Sequence, residues 1–375
     1  MEFTALQVHG EVLGSGFAGY KSGEYRGATS AARFTTPEVE FTNVRSECGV
    51  YDFGYRAKIS LTGGDRVRWL NGMVTNNIRD LAPGNGVYAF LLNPQGRILG
   101  DLYAYNRGES IVVDTDRSQL EKILATFDHY IIMDDVEVKD LSEQITGLGI
   151  AGPKGLEVLR KAGIEFPALP PLQLHEIQCD CECGCLNCTI VRCDSQIEAY
   201  EIWLKPDSVK PLWNLLVSSG ATPVGFEALE LNRIASGIPL YGVDIRERDL
   251  PQETEQARAL NFNKGCYIGQ EIVERIRSRG AVHRKFSGFV ADPSQALATG
   301  TKIVAGEKEV GEITSSATVP FTSGPKNVML GYIRRELAIP GREVKAGGVS
   351  ASVVSLPLAA ENVSAEPVAP VWRPA

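Results

Sequence analysis

Over the first two-thirds of this chain, strand and helix patterns mix without regular alternation; from Arg284 onward only short strand patterns recur. That change of character constrains the fold more than any other feature. Irregular mixing argues for an α+β fold rather than a doubly wound sheet. The recurring apolar runs at 287–290, 302–304, 310–313, 330–333 and 353–355, punctuated by Gly and Pro, predict a small all-β domain. With 375 residues, 43% hydrophobic and 22% charged, there is material for two or three domains.

A net charge of −8 gives no sign of wholesale nucleic-acid binding. No apolar run reaches the roughly 18 residues of a membrane span, and no secretory signal precedes the fold. A cytoplasmic, monomeric protein is expected. Residues 1–34 are rich in Gly, Ser and Ala and read as a flexible arm. They include Gly14-Ser15-Gly16-Phe17-Ala18-Gly19, a formal dinucleotide fingerprint, but no apolar helix follows it, so it is rejected as a cofactor site. Residues 359–375 read as a disordered tail.

The runs 87–93 and 97–106 flank Asn93-Pro94-Gln95-Gly96, whose Pro and Gly positions suit a type I turn and hence a hairpin. Counting outward sets Tyr88 opposite Asp101, with Asp101, Tyr103 and Tyr105 on one face; a bulge would slip this register. A carboxylate among phenols can orient a planar ligand. Ser118-Gln119-Leu120-Glu121 is a capping-box pattern opening a helix.

The octapeptide Lys264-Gly265-Cys266-Tyr267-Ile268-Gly269-Gln270-Glu271 places a thiol between two glycines, just ahead of a helix starting near Gly269 or Gln270. A thiolate is electrostatically favoured there. Cys179, Cys181, Cys183, Cys185 and Cys188 crowd one stretch, a spacing for metal or redox chemistry only if the segment folds as a loop. Arg275, Arg277, Arg279, Arg284 and Lys285 alternate with Glu271 and Glu274, as on a solvated helix face.

The octapeptide, with Arg275 and the run Arg279-Gly280-Ala281-Val282-His283-Arg284-Lys285, resembles the signature of YgfZ-type folate-binding proteins, relatives of the glycine-cleavage T-protein (aminomethyltransferase). The resemblance covers roughly residues 35–357. It implies two ferredoxin-like α/β domains and a β-barrel set as three lobes around a central cleft. The expected units are 35–145, 146–283 and 284–358. It also implies tetrahydrofolate as cofactor, with Asp101 and Cys266 as catalytic residues and Tyr88, Tyr105, Arg233, Tyr241 and Lys264 as cofactor-binding ones. The family's partners are iron–sulfur assembly or client proteins, including those of tRNA modification, and a transient cluster or metal at Cys179–Cys188 fits that setting. Two departures stand out. Ile197 takes the place of the T-protein's pterin-binding glutamate, and Ala235 replaces a further glutamate. An accessory role for iron–sulfur enzymes is therefore expected, with aminomethyl transfer or a non-catalytic scaffold as alternatives.

Overall fold

The computed structural model describes residues 2–8, 19–181, 184–280, 282–293 and 297–358. A five-stranded antiparallel sheet runs in the order Gly86–Leu92, Ile98–Asn106, Ile111–Asp116, Arg56–Thr62, Glu137–Asp140. Its apolar face carries Ile59, Leu61, Leu91, Leu102 and Val113, which pack on Trp69 and Leu70 of helix Arg66–Met73 and on Ile123 and Phe127 of helix Arg117–Tyr130. The alternation along the strands and the i, i+4 spacing along the longer helix dictate this union.

A six-stranded sheet follows, ordered Leu174–Cys181, Gly184–Arg192, Ala199–Leu204, Thr146–Ala151, Gly49–Asp52, Thr222–Val224. Its core includes Val50, Leu148, Ile150, Ile190 and Ile202, closed by Leu212, Trp213 and Leu216 of helix Val209–Ser218. Gly49–Asp52 therefore pairs in the second sheet, although it falls within the expected 35–145 unit. Its partners decide this: Val50 lies opposite Ile150 on one side and Pro223 on the other.

Six strands from Arg284–Ala291 to Val349–Val354 close a barrel filled by Phe289, Ile303, Ile313, Met329 and Ile333. Phe286, Leu330 and Tyr332 on its outer face meet Phe41, Val44, Ala228 and Ile234 of the second unit. The α+β, three-lobed architecture is as expected. The arm is not as expected in its described part. Lys21–Tyr25 and Ala28–Arg33 form an antiparallel pair, extended by Glu2–Phe3, because Ala28, Ala31 and Phe34 are buried. The rejected glycine fingerprint (apart from Gly19) and the tail 359–375 lie outside the described residues.

Candidate functional site

Asp101 lies on the second strand of the first hairpin, partly buried, and its carboxylate is held at both oxygens. The Tyr88 hydroxyl donates to Oδ2 at 2.7 Å, and Gln119 Nε2 donates to Oδ1 at 2.8 Å. Gln119 Oε1 in turn accepts the Asp101 backbone N–H at 3.0 Å. Burial raises the Asp101 pKa, with Asp116 adding to the shift, while Gln119 and Tyr88 oppose it.

The register differs from simple counting. Asn93 O accepts from Gly96 N–H, but Asn93 N–H bonds to Arg97 O, and a bulge follows at Leu91/Leu92. Each irregularity slips the register by one, so Tyr88 pairs with Tyr103 and Phe90 with Asp101. Two slips restore the face, which is why Tyr88 still reaches Asp101 diagonally.

A cavity of about 700 Å3 opens between the second unit and the barrel, lined by Asp194, Gln196, Ile238, Arg258, Phe286 and Leu356 among others; Asp101 and Tyr88 are not part of its lining. Arg258 links the two places. Its guanidinium lies 4.7 Å from the Tyr88 ring centroid and donates to Asp194 Oδ2 at 2.6 Å. Sequence reasoning missed Arg258 and misassigned Gln119. The helix begins at Arg117 with Asp116 as its N-cap, so Ser118 is already inside it and forms no capping box. A polar residue on the apolar stripe two positions before Glu121 was the available signal for Gln119.

Several expected ligand residues serve the protein instead. Tyr105 is 1% exposed, set edge-on against Trp203 and packed with Val112 and Val191. Arg233 is buried and donates to Glu230, Ile238 O, Asp244 and Ser315, joining helix, turn and barrel rather than facing the cavity. The Tyr241 hydroxyl donates to Leu99 O and accepts from Lys122, docking its turn on the first unit.

Lys264 is 6% exposed, and its Nζ donates to the carbonyls of Asn71, Val74 and Asn76 at the end of helix Arg66–Met73. Burial pulls its pKa down to about 7, while three carbonyl oxygens hold the protonated form. Lys264→Met would strand those acceptors and cost about 2–4 kcal/mol. A chemical denaturation midpoint unchanged from wild type would contradict this clamp.

Cys266 is exposed, and its loop is fixed from both ends. Ile268 N–H bonds to Gly72 O, and Tyr267 packs with Tyr88, Phe90 and Leu92. Gly269 has φ +81°, and a Cβ there would meet Asn93 O at 2.6 Å, so this glycine alone of the two is required. Helix Gln270–Arg279 starts immediately after it, as expected.

The cysteine stretch is a hairpin, not a folded loop. Ile177 faces Cys188 and Cys179 faces Leu186, so Cys179 and Cys188 point into the second core, while Cys185 is exposed on the other face. Strand alternation thus divides the proposed ligands between two sides. Among the described residues no group of three or more His, Cys, Asp or Glu converges on a metal position. Cys183 lies outside the described residues, and of Cys181 only the backbone is described.

Between the two sheets lies a buried charge cluster. Arg56 bonds Asp114 at 2.7 Å and Asp116 at 2.6 Å, and Lys58 bonds Asp114 at 2.6 Å. Lys58 also sits 4.8 Å from the Trp203 ring, whose indole N–H donates to Glu201 at 2.8 Å. Burial, reinforced by Asp114, pushes Glu201 up to about 7. In the unfolded chain a glutamate titrates near 4.3. The folded state therefore holds a proton that the unfolded state has lost between these values, and stability falls as pH rises through that window. Glu201→Gln is expected to match wild type near pH 4 and exceed it at pH 8 by on the order of 3–4 kcal/mol. Parallel pH–stability curves for the two proteins would refute this.

The GCVT N-terminal domain family matches residues 6–264. An aminomethyltransferase of Rubrobacter xylanophilus is 28% identical over 301 residues, covering 79% of each chain. A putative chloroplastic transferase of Arabidopsis thaliana is 27% identical over 314 residues, 82% of this chain and 70% of the other. The crystal structure of the glycine cleavage system aminomethyltransferase T from Bartonella henselae superposes with a TM-score of 0.85 over 96% of this chain and 99% of that one, at 23% identity. With more than half of its length matched, the chain belongs to the GCVT family, the family of the T-protein aminomethyltransferases.

Proposed function

We propose that this chain binds a tetrahydrofolate near Asp101 and handles a one-carbon group there; several of its relatives are named aminomethyltransferases. The observation that carries the reading is the Asp101 carboxylate, oriented at both oxygens by Tyr88 and Gln119, with Arg258 joining Tyr88 to a cavity of about 700 Å3. That volume lies within the usual range for a bound organic cofactor. Tetrahydrofolate, when bound, supplies the nitrogens that carry the one-carbon unit. Asp101 stabilises positive charge developing beside it and, with its pKa raised, accepts a proton more readily than an exposed aspartate. The match to the cofactor is incomplete at one point. Ile197 packs into an apolar cluster and cannot hydrogen-bond a pterin, and Glu198 Oε1 accepts from the Tyr200 hydroxyl without lining the cavity.

Titration of the full chain with tetrahydrofolate tests the reading. Absence of both binding heat and thermal shift ends it, and transfer from an aminomethylated carrier protein at an enzyme-like rate establishes the catalytic form.

A second reading, the YgfZ type, is supported by Cys266. An exposed thiol on a loop clamped through Lys264 and Gly269 suits an accessory protein that meets iron–sulfur assembly or client proteins. Cys266→Ala supplied to a deletion strain is expected to leave iron–sulfur enzyme activities low. Full restoration removes the thiol from the function.

A further inference from the structure

We infer that Arg258 is the cation that receives a glutamyl carboxylate of the bound folate, taking it in exchange for Asp194. This rests on the tetrahydrofolate reading above. The resemblance assigns the ligand-facing arginine to position 233, but Arg233 is consumed by Glu230, Ile238 O, Asp244 and Ser315 and does not line the cavity. Arg258 does line it. Its guanidinium is already placed: the face rests over Tyr88, Nε donates to Gln256 Oε1 at 3.3 Å, and Nη1 donates to Asp194 at 2.6 Å. Its backbone is placed as well. Asn76 Nδ2 donates both to Arg258 O and to Tyr88 O, locking the arginine to the tyrosine that holds Asp101.

The Asp194 pair is the replaceable contact. Its side chains are 31% and 37% exposed, and ion pairs of such exposure contribute little net stability. One carboxylate can therefore replace another at small cost, and the planar fork suits the exchange. Lys285, the other cation of the cavity, is a flexible ammonium already paired with Glu255 at 2.9 Å. The Tyr88 ring that carries the guanidinium on its face also donates its hydroxyl to Asp101, so the cation and the carboxylate share one tyrosine.

The test compares tetrahydrofolate with tetrahydropteroate, which lacks the glutamate, by calorimetry on the full chain. Arg258→Gln is expected to weaken tetrahydrofolate by about 10-fold or more, the scale of one charge-assisted contact, and tetrahydropteroate by less than about 2-fold. Arg258→Lys should retain part of the difference, and Asp194→Asn should tighten tetrahydrofolate alone by removing the competing carboxylate. Equal weakening of both ligands, or of neither, overturns the assignment while leaving folate binding intact. Failure of the wild-type chain to bind either compound overturns the folate reading and this inference with it. Thermal melts of each variant establish that the chain is folded.

Discussion

Asp101→Asn is expected to lower tetrahydrofolate-dependent one-carbon transfer by about 10²–10⁴-fold, the range for loss of a general acid–base group. The substitution keeps the shape: Asn Oδ1 can still accept from Gln119 Nε2, and the new N–H₂ can donate to the Tyr88 hydroxyl, which is both donor and acceptor. The fold and the affinity for tetrahydrofolate should therefore change little. What disappears is the negative charge beside the reacting nitrogens and the ability to take a proton. Turnover of the variant within about threefold of wild type would show that the carboxylate only positions the ligand. A large loss of affinity with unchanged turnover at saturation would show the same, since it would place the whole effect in ground-state binding.

The second large effect is on stability. Asp114 is fully buried and accepts from both Arg56 and Lys58. Asp114→Ala leaves Arg56 and Lys58 with only Asp116 and the Glu201 carboxyl as counter-groups in a buried site. Breaking a buried pair by removing one partner costs about 3–5 kcal/mol, and for a chain of this size that lowers Tm by on the order of 10 °C. The double variant Asp114→Leu, Lys58→Met should recover part of the loss, because apolar replacement of a whole buried pair is often neutral. A melting temperature within 2–3 °C of wild type for Asp114→Ala, roughly the shift from 1 kcal/mol, would show that water reaches the cluster.

Much of the architecture was legible because periodicity is local. The apolar runs on either side of Asn93–Gly96, the helix after Gly269 and the barrel strands after Arg284 all appeared where pattern placed them. Pairing partners were not legible. Gly49–Asp52 looks like strand material wherever it goes, and only its neighbours in space show that it belongs to the second sheet. The hairpin face was right although the register was wrong, since turn and bulge offset each other. The site divided along the same line. Asp101 and Tyr88 could be found because they share one hairpin. Arg258 comes from a distant loop with no periodicity to mark it, and Arg233 could be read as a ligand residue only while its four protein acceptors were unseen. The cysteine stretch misled because its spacing matches metal motifs, whereas the hairpin's alternation separates the thiols.

The placement of Gly49–Asp52 also governs how the cleft can open. Because this strand and Thr146–Ala151 are neighbours in the second sheet, the whole first sheet is an excursion that leaves and returns at adjacent positions. A lobe tied by two short adjacent tethers, and bonded across its base by the Lys58 and Trp203 contact, can swing only about the axis those tethers define. Under the folate reading the half-exposed Asp194–Arg258 pair has to part before a ligand carboxylate takes its place, so association should slow as ionic strength is lowered.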